Sequence, residues 1–227
     1  MSTIRQTYQR QLDEVHQKLL QMGEAVESML ADGLRAVVEQ DRDLAEEVVQ
    51  RDDWVDQLDT LIEDRCIQLI ATQQPVAIDL RFIATAMKAI TDLERIGDYS
   101  VDVAKSVRVL AGEPYFKPLE DFSKLGQMTR QLLRDSLRAL MERDVDRAIQ
   151  VCRDDEAIDA LYQSLRDELM DHMRRERAVV TQATYLILAA RYLERIADHA
   201  VNVAERVVYT VTGEFQDVAK GHRPEAM

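Results

Sequence analysis

The chain repeats itself, and this limits its architecture more than any other feature. Residues 93–104 read LERIGDYSVDVA and residues 193–204 read LERIADHAVNVA, identical at 8 of 12 positions at a spacing of 100. Unrelated stretches agree at roughly one position in such a window, so this is an internal repeat. Residues 32–45 (DGLRAVVEQDRDLA) and 135–148 (DSLRALMERDVDRA) match at 8 of 14 positions at a spacing of 103. The shift from 103 to 100 places a three-residue deletion between them, in a turn, where chains absorb changes of length.

Apolar residues recur at helical spacing through both copies. With 7 glycines and 4 prolines in 227 residues, turns and strands have little material. The pattern predicts helices over 4–40, 43–72 and 78–111 in the first copy, and 120–143, 145–175 and 179–212 in the second. The breaks fall at QQPVA (73–77) and at GEPYFKP (112–118), which holds two of the four prolines. Gly213 sits where a glycine commonly closes a helix. The fold class is therefore all-α, a twofold internal repeat of a three-helix unit. One three-helix bundle is expected over 1–112, a linker over 113–119, a second bundle over 120–213, and a loose tail over 214–227.

The formal charge is −13, from 42 acids against 29 lysines and arginines. A field of that sign repels phosphate backbones and argues against nucleic-acid binding. Cys66 and Cys152 have no CxxC neighbour and read as small core residues of a reducing compartment. The N-terminus lacks the apolar run of a signal peptide. The most apolar stretch, 183–190 (ATYLILAA), is too short to span a bilayer. A cytoplasmic location is expected, with any membrane contact made through partner proteins.

The repeated motif is a helix surface. Glu94, Asp98 and Asp102 form one slowly drifting stripe with apolar residues on both flanks, so the helix lies between neighbours and its acids occupy a seam. Glu194, Asp198 and Asn202 repeat the layout. Asp56 with Glu94 and Asp52 with Asp98 have the same sequence midpoint, residue 75, inside the expected turn. Residues equidistant from the turn of an antiparallel pair stand at one height, so these four carboxylates form two adjacent rungs. Asp159 with Glu194 and Asp155 with Asp198 do the same about 176.5. Carboxylates held so close repel one another. Either arginines threaded among them (Arg51, Arg95, Arg153 and Arg195 are near in sequence) or a bound metal relieves that cost. An all-oxygen set suits iron, zinc, manganese, magnesium or calcium. No Glu-x-x-His pair, phosphate loop or nucleophile motif accompanies the acids.

At this point the sequence resembles the PhoU family, through QPVAIDLR (74–81), DLERIGD (92–98), DDEAID (154–159) and YLERIAD (192–198). The resemblance covers about residues 5 to 215. It implies two three-helix bundles, often dimeric. It also implies a negative regulator of the phosphate-starvation response that modulates phosphate transport. Such a regulator is an adaptor between the ATP-binding subunit of a phosphate ABC transporter and a sensor histidine kinase. It further implies that iron or zinc clusters sit on the paired E(D)xxxD motifs of some members. Carried onto this chain, those positions are Asp52, Asp56, Glu94 and Asp98, and Asp155, Asp159, Glu194 and Asp198, with Asp102 and Asn202 as extensions of the stripe. Asn202 and Ala197, in place of Asp102 and Gly97, make the second site the poorer one. QPVAIDLR has no counterpart at 174–182 (RRERAVVTQ), so Pro75, Asp79 and Arg81 are candidate partner contacts. Two rivals remain open: a regulator of a different phosphate carrier, and a carboxylate di-metal enzyme.

Overall fold

The structure is a computed structural model that describes residues 3–213. The tail expected over 214–227 lies outside the described residues. The helices are α1 (Thr3–Glu39), α2 (Arg42–Gln50), α3 (Asp52–Gln73), α4 (Ala77–Leu110), α5 (Glu120–Glu142), α6 (Val145–Arg175) and α7 (Val180–Thr212), with a single 3₁₀ turn at Arg177–Val179 before α7. No strand occurs among the described residues.

The two copies start their second rods with the same device. Gln40 and Arg143 take left-handed backbone conformations at φ 57° and 55°. Each is followed by an aspartate whose carboxylate accepts from the helix's first free amides: Asp41 from Leu44 N–H and Asp144 from Arg147 N–H, both at 3.0 Å. Such caps stabilise a helix start by about 1 kcal/mol and offset the strained residue before them. The second rod differs from expectation in one place. At Arg51 the bonding tightens to i→i+3, with Arg51 N–H on Val48 O and Trp54 N–H on Arg51 O, both 3.1 Å. That divides the rod into α2 and α3, while the Arg51 guanidinium is held by Asp32 on α1 at 2.6 Å.

Within the first copy α1, α3 and α4 pack together, and within the second α5, α6 and α7 do. The most extensive pairing joins the copies: α4 lies antiparallel on α7, with Thr85 bonded to Thr210 inside the core at 2.6 Å. Midway along this contact Tyr99 faces His199, its equivalent 100 residues on, with rings 5.7 Å apart. An approximate twofold axis therefore runs between them. One continuous apolar core passes through both copies. The segment after α4 is tied down: Gln182 accepts from Phe116 N–H at 2.9 Å, and Lys117 pairs with Glu168 at 2.5 Å. No helix among the described residues is long and apolar enough to cross a membrane.

Candidate functional site

The first acidic seam forms where α3 lies against α4. Gly97 faces α3 at the seam, where an added Cβ would make only ordinary contacts, 3.4 Å from Val55 Cγ1 and 3.6 Å from Asp52 Oδ1; the second copy carries Ala197 there. Asp52 feels Asp56 beside it and Asp98 across the seam, and burial together with those two charges holds its pKa above the ordinary carboxylate value. Glu94 is raised in the same way, by burial, Asp98, Asp56 and Asp59. Both expected rungs, Asp52–Asp98 and Asp56–Glu94, are thus in place. Arg95 offsets part of the repulsion, 3.1 Å from Asp98 and 3.7 Å from Glu94.

Asp59 belongs to this seam and was not anticipated. Its pKa is raised by burial, Glu63 and Asp56, and it lines an open cleft of about 350 Å³ with Asp56, Thr60, Thr91 and Glu94. Its rung partner by the midpoint rule is Thr91, since 59 and 91 are also centred on 75. The signal was present, one turn beyond the two rungs read.

The second seam is closed in a different way. Glu194 is buried, and burial, Asp198 and Asp159 raise its pKa while Arg191 opposes them. Arg191 ion-pairs with Glu194 Oε1 and lies over the Tyr162 ring at 5.7 Å. Glu194 Oε2 has no hydrogen-bond partner. Arg195 pairs with Asp198 at 3.3 Å. Asp155 stands one turn before Asp159 on α6, half-buried.

Of the two stripe extensions, Asn202 makes its bond outside the seam. Asn202 donates to Asp92 across the α4–α7 contact at 3.0 Å, on the carboxylate oxygen that also meets His199 Nδ1 at 2.9 Å. Asp102 keeps its coupling to the seam: its pKa is raised by burial and Asp98 against Lys105, and it adds to the burial that raises the pKa of Tyr192. The donors of the seams are of the kind that hard and borderline divalent cations take. Among the described residues, however, no three acids, histidines or cysteines converge so as to hold a metal ion.

The charges of the α3–α4 turn are committed internally. Asp79 accepts from Tyr8 OH at 2.9 Å, and the Tyr8 phenol is pushed up to about 12 by burial and that carboxylate. Arg81 Nε donates to Thr210 O at 3.1 Å. Beside exposed Thr72 and Gln74, the turn shows solvent an apolar group. Gln74 and Ala77 take left-handed conformations on either side of Pro75–Val76, and Val76 is 74% exposed, beside exposed Ile67, Ile70, Ile78 and Leu80.

The PhoU domain model matches residues 19–107 and 122–207, one match for each copy. This chain belongs to the PhoU family. A phosphate-specific transport system accessory protein PhoU homolog of Clostridium acetobutylicum is 39% identical over 215 residues, 94% of this chain and 98% of that protein. PhoU of Escherichia coli is 31% identical over 207 residues, 91% of this chain and 86% of its own length. The crystal structure of PhoU from Pseudomonas aeruginosa superposes with a TM-score of 0.88 at 32% identity, covering 91% of this chain and all of that one. That of the phosphate transport system regulatory protein PhoU from Streptococcus pneumoniae gives 0.87 at 31%, covering 92% and 99%. The twofold, all-helical architecture expected from the repeat is the one observed, and the family that the motifs resemble is the one matched.

Proposed function

We propose that this chain negatively regulates the phosphate-starvation response and modulates phosphate transport. In this reading it is a non-enzymatic cytoplasmic adaptor, acting as a homodimer between the ATP-binding subunit of a phosphate ABC transporter and a sensor histidine kinase. The observation that carries the reading is likeness along nearly the whole chain to phosphate-specific transport accessory proteins, in both sequence and fold. A protein that acts by binding shifts a partner only by favouring one of its states. Here that state is the quiet one, adopted when phosphate is plentiful. The apolar α3–α4 tip is the surface we assign to the partner contact, because the corresponding end of the second copy is charged and its neighbourhood is occupied by the segment after α4.

Deletion of the gene should switch phosphate-scavenging genes on in phosphate-rich medium. Val76→Asp with Ile78→Asp should do the same while leaving helicity intact, a cleaner test than changing Asp79 or Arg81, which hold the turn in place. Normal repression and unchanged phosphate uptake in the deletion strain would falsify the regulatory reading.

A divalent cation (iron, zinc, manganese or magnesium) is proposed for the acidic seams. Mutual repulsion among Asp52, Asp56, Glu94 and Asp98 supports it; convergence on an ion requires their side chains to rotate on fixed helices. Elemental analysis of protein purified without an affinity tag should find metal that falls by about half in Asp56→Asn/Glu94→Gln, since one of two seams is removed. Equal metal content in the two proteins would make the seam a solvated, arginine-paired surface.

A further inference from the structure

A second polar feature of the first copy lies outside the acidic seam. Between α2 and the end of α4 is a pocket of about 150 Å³ lined by Arg42, Ala45, Glu46, Val49, Ala104, Lys105 and Arg108. In a chain of charge −13, this pocket carries three cations and one acid. Arg42 donates to Ala111 O at 3.4 Å and Arg108 to Glu46 Oε2 at 3.3 Å, so each guanidinium keeps further N–H groups uncommitted to these bonds. Lys105 stands within electrostatic reach of Asp52 and Asp102.

The internal repeat supplies a control. Its 103-residue and 100-residue offsets carry the pocket floor Ala45, Val49 and Ala104 onto Ala148, Cys152 and Ala204, all small and apolar again. They carry the rim Arg42, Glu46, Lys105 and Arg108 onto Val145, Ile149, Glu205 and Val208. The fold is therefore built equally well without the cations. The floor is what packing between the second and third rods requires; the basic rim is an addition to the first copy alone.

We infer that this pocket is a binding site for a small tetrahedral oxyanion, namely free inorganic phosphate. Two guanidinium groups and an ammonium, presented from two helices, suit an anion with several oxygens pointing in different directions. Guanidinium forks pair phosphate oxygens two at a time. The volume is ample for orthophosphate; because the pocket opens to solvent, an ATP titration tests whether a larger phosphate ester is taken instead. Glu46 competes with the anion for Arg108, which keeps affinity moderate and predicts its own test. The site does not depend on the regulatory reading, since binding is measured on purified protein and can fail while that reading stands, or hold while it falls.

The experiment is calorimetric titration of the full chain with inorganic phosphate at low ionic strength, with matched chloride and ATP titrations. One equivalent of phosphate should bind. Lys105→Gln/Arg108→Gln should weaken it by roughly a hundredfold or more, the loss of two charge-assisted bonds. Glu46→Gln should tighten it, and chloride should give no saturable heat. Amide shifts on phosphate addition should centre on Ala45, Val49 and Ala104. These side chains lie on exposed helix surface, so circular dichroism should show each variant folded. No saturable phosphate binding, binding unchanged in both variants, or binding of ATP without phosphate would each overturn the assignment.

Discussion

The two acidic seams share a backbone plan and part over one rung. Beside the paired acids the first copy sets Asp59 against Thr91, and the second sets Tyr162 against Arg191. The first seam therefore accumulates carboxylates along an open cleft. The second carries its own counter-ion, laid over an aromatic face and paired to Glu194. Duplication kept the scaffold and divided two remedies for one electrostatic problem: an internal arginine in one copy, and exposure with partial pairing by Arg95 in the other. The copy without the internal cation is the one with room for an external one.

That comparison breaks most visibly at Arg191. Its removal in Arg191→Met strips the cation from Glu194, whose side chain is 11% exposed. Leaving a buried carboxylate without its partner costs several kcal/mol at full burial; with Arg191 itself 38% exposed, about 2 kcal/mol is expected here. The loss over Tyr162 adds to it. Urea denaturation should show the midpoint falling, and Arg191→Met/Glu194→Leu should recover most of the loss, because removing both partners leaves no orphaned charge. An Arg191→Met protein as stable as the parent would mean that the second seam needs no internal cation.

The first seam should respond in the opposite sense. Asp52 and Glu94 bind their protons more tightly in the folded chain than in the unfolded one. Their ionisation therefore opposes folding at neutral pH, and the opposition fades as pH falls through their raised folded pKa values. Asp52→Asn/Glu94→Gln should stabilise the cation-free protein by up to about 1 kcal/mol at pH 7, the scale of partly exposed charges. That corresponds to about 2–4 °C in melting temperature for a chain of this size. The gain should shrink on acidification toward the carboxylate range. A gain that stays constant with pH would assign it to packing.

The rods, their turns and both rungs of the first seam were legible in the sequence, because helical period and distance from a turn are local quantities. Arg51 was not legible as a break: no glycine or proline marks it, and its guanidinium answers to Asp32, 19 residues earlier. Asp102 and Asn202 were placed on the stripe by their spacing. Each step of four residues turns about 40° round the helix, so after two steps Asn202 reaches the α4–α7 contact and bonds Asp92. The turn's charges looked available because their partners, Tyr8 and Thr210, are 71 and 129 residues away. Asp59 is the opposite case, missed although the rule that found its neighbours also reaches it.

The smallest effect is the most discriminating, because it moves the remedy from one copy to the other. Thr91 is the first copy's equivalent of Arg191 and lies on the exposed lip of the cleft beside Glu94. In Thr91→Arg the new guanidinium stands three residues before Glu94 on α4, the spacing at which Arg191 meets Glu194. An exposed pair of this kind adds about 0.2–0.5 kcal/mol, and replacing a β-branched residue inside a helix contributes in the same direction. The stability gain should therefore be small and should decline with added salt. Divalent-cation uptake by the first seam, followed by elemental analysis, should fall well beyond what so small a stability change suggests, because the arginine competes for the carboxylates that would meet the ion. Uptake that is present and undiminished, alongside the expected stability gain, would place the proposed cation away from Glu94. The seam's acids would then differ in role from Glu94 toward Asp52, and the rung between Asp52 and Asp98 would be the place to look.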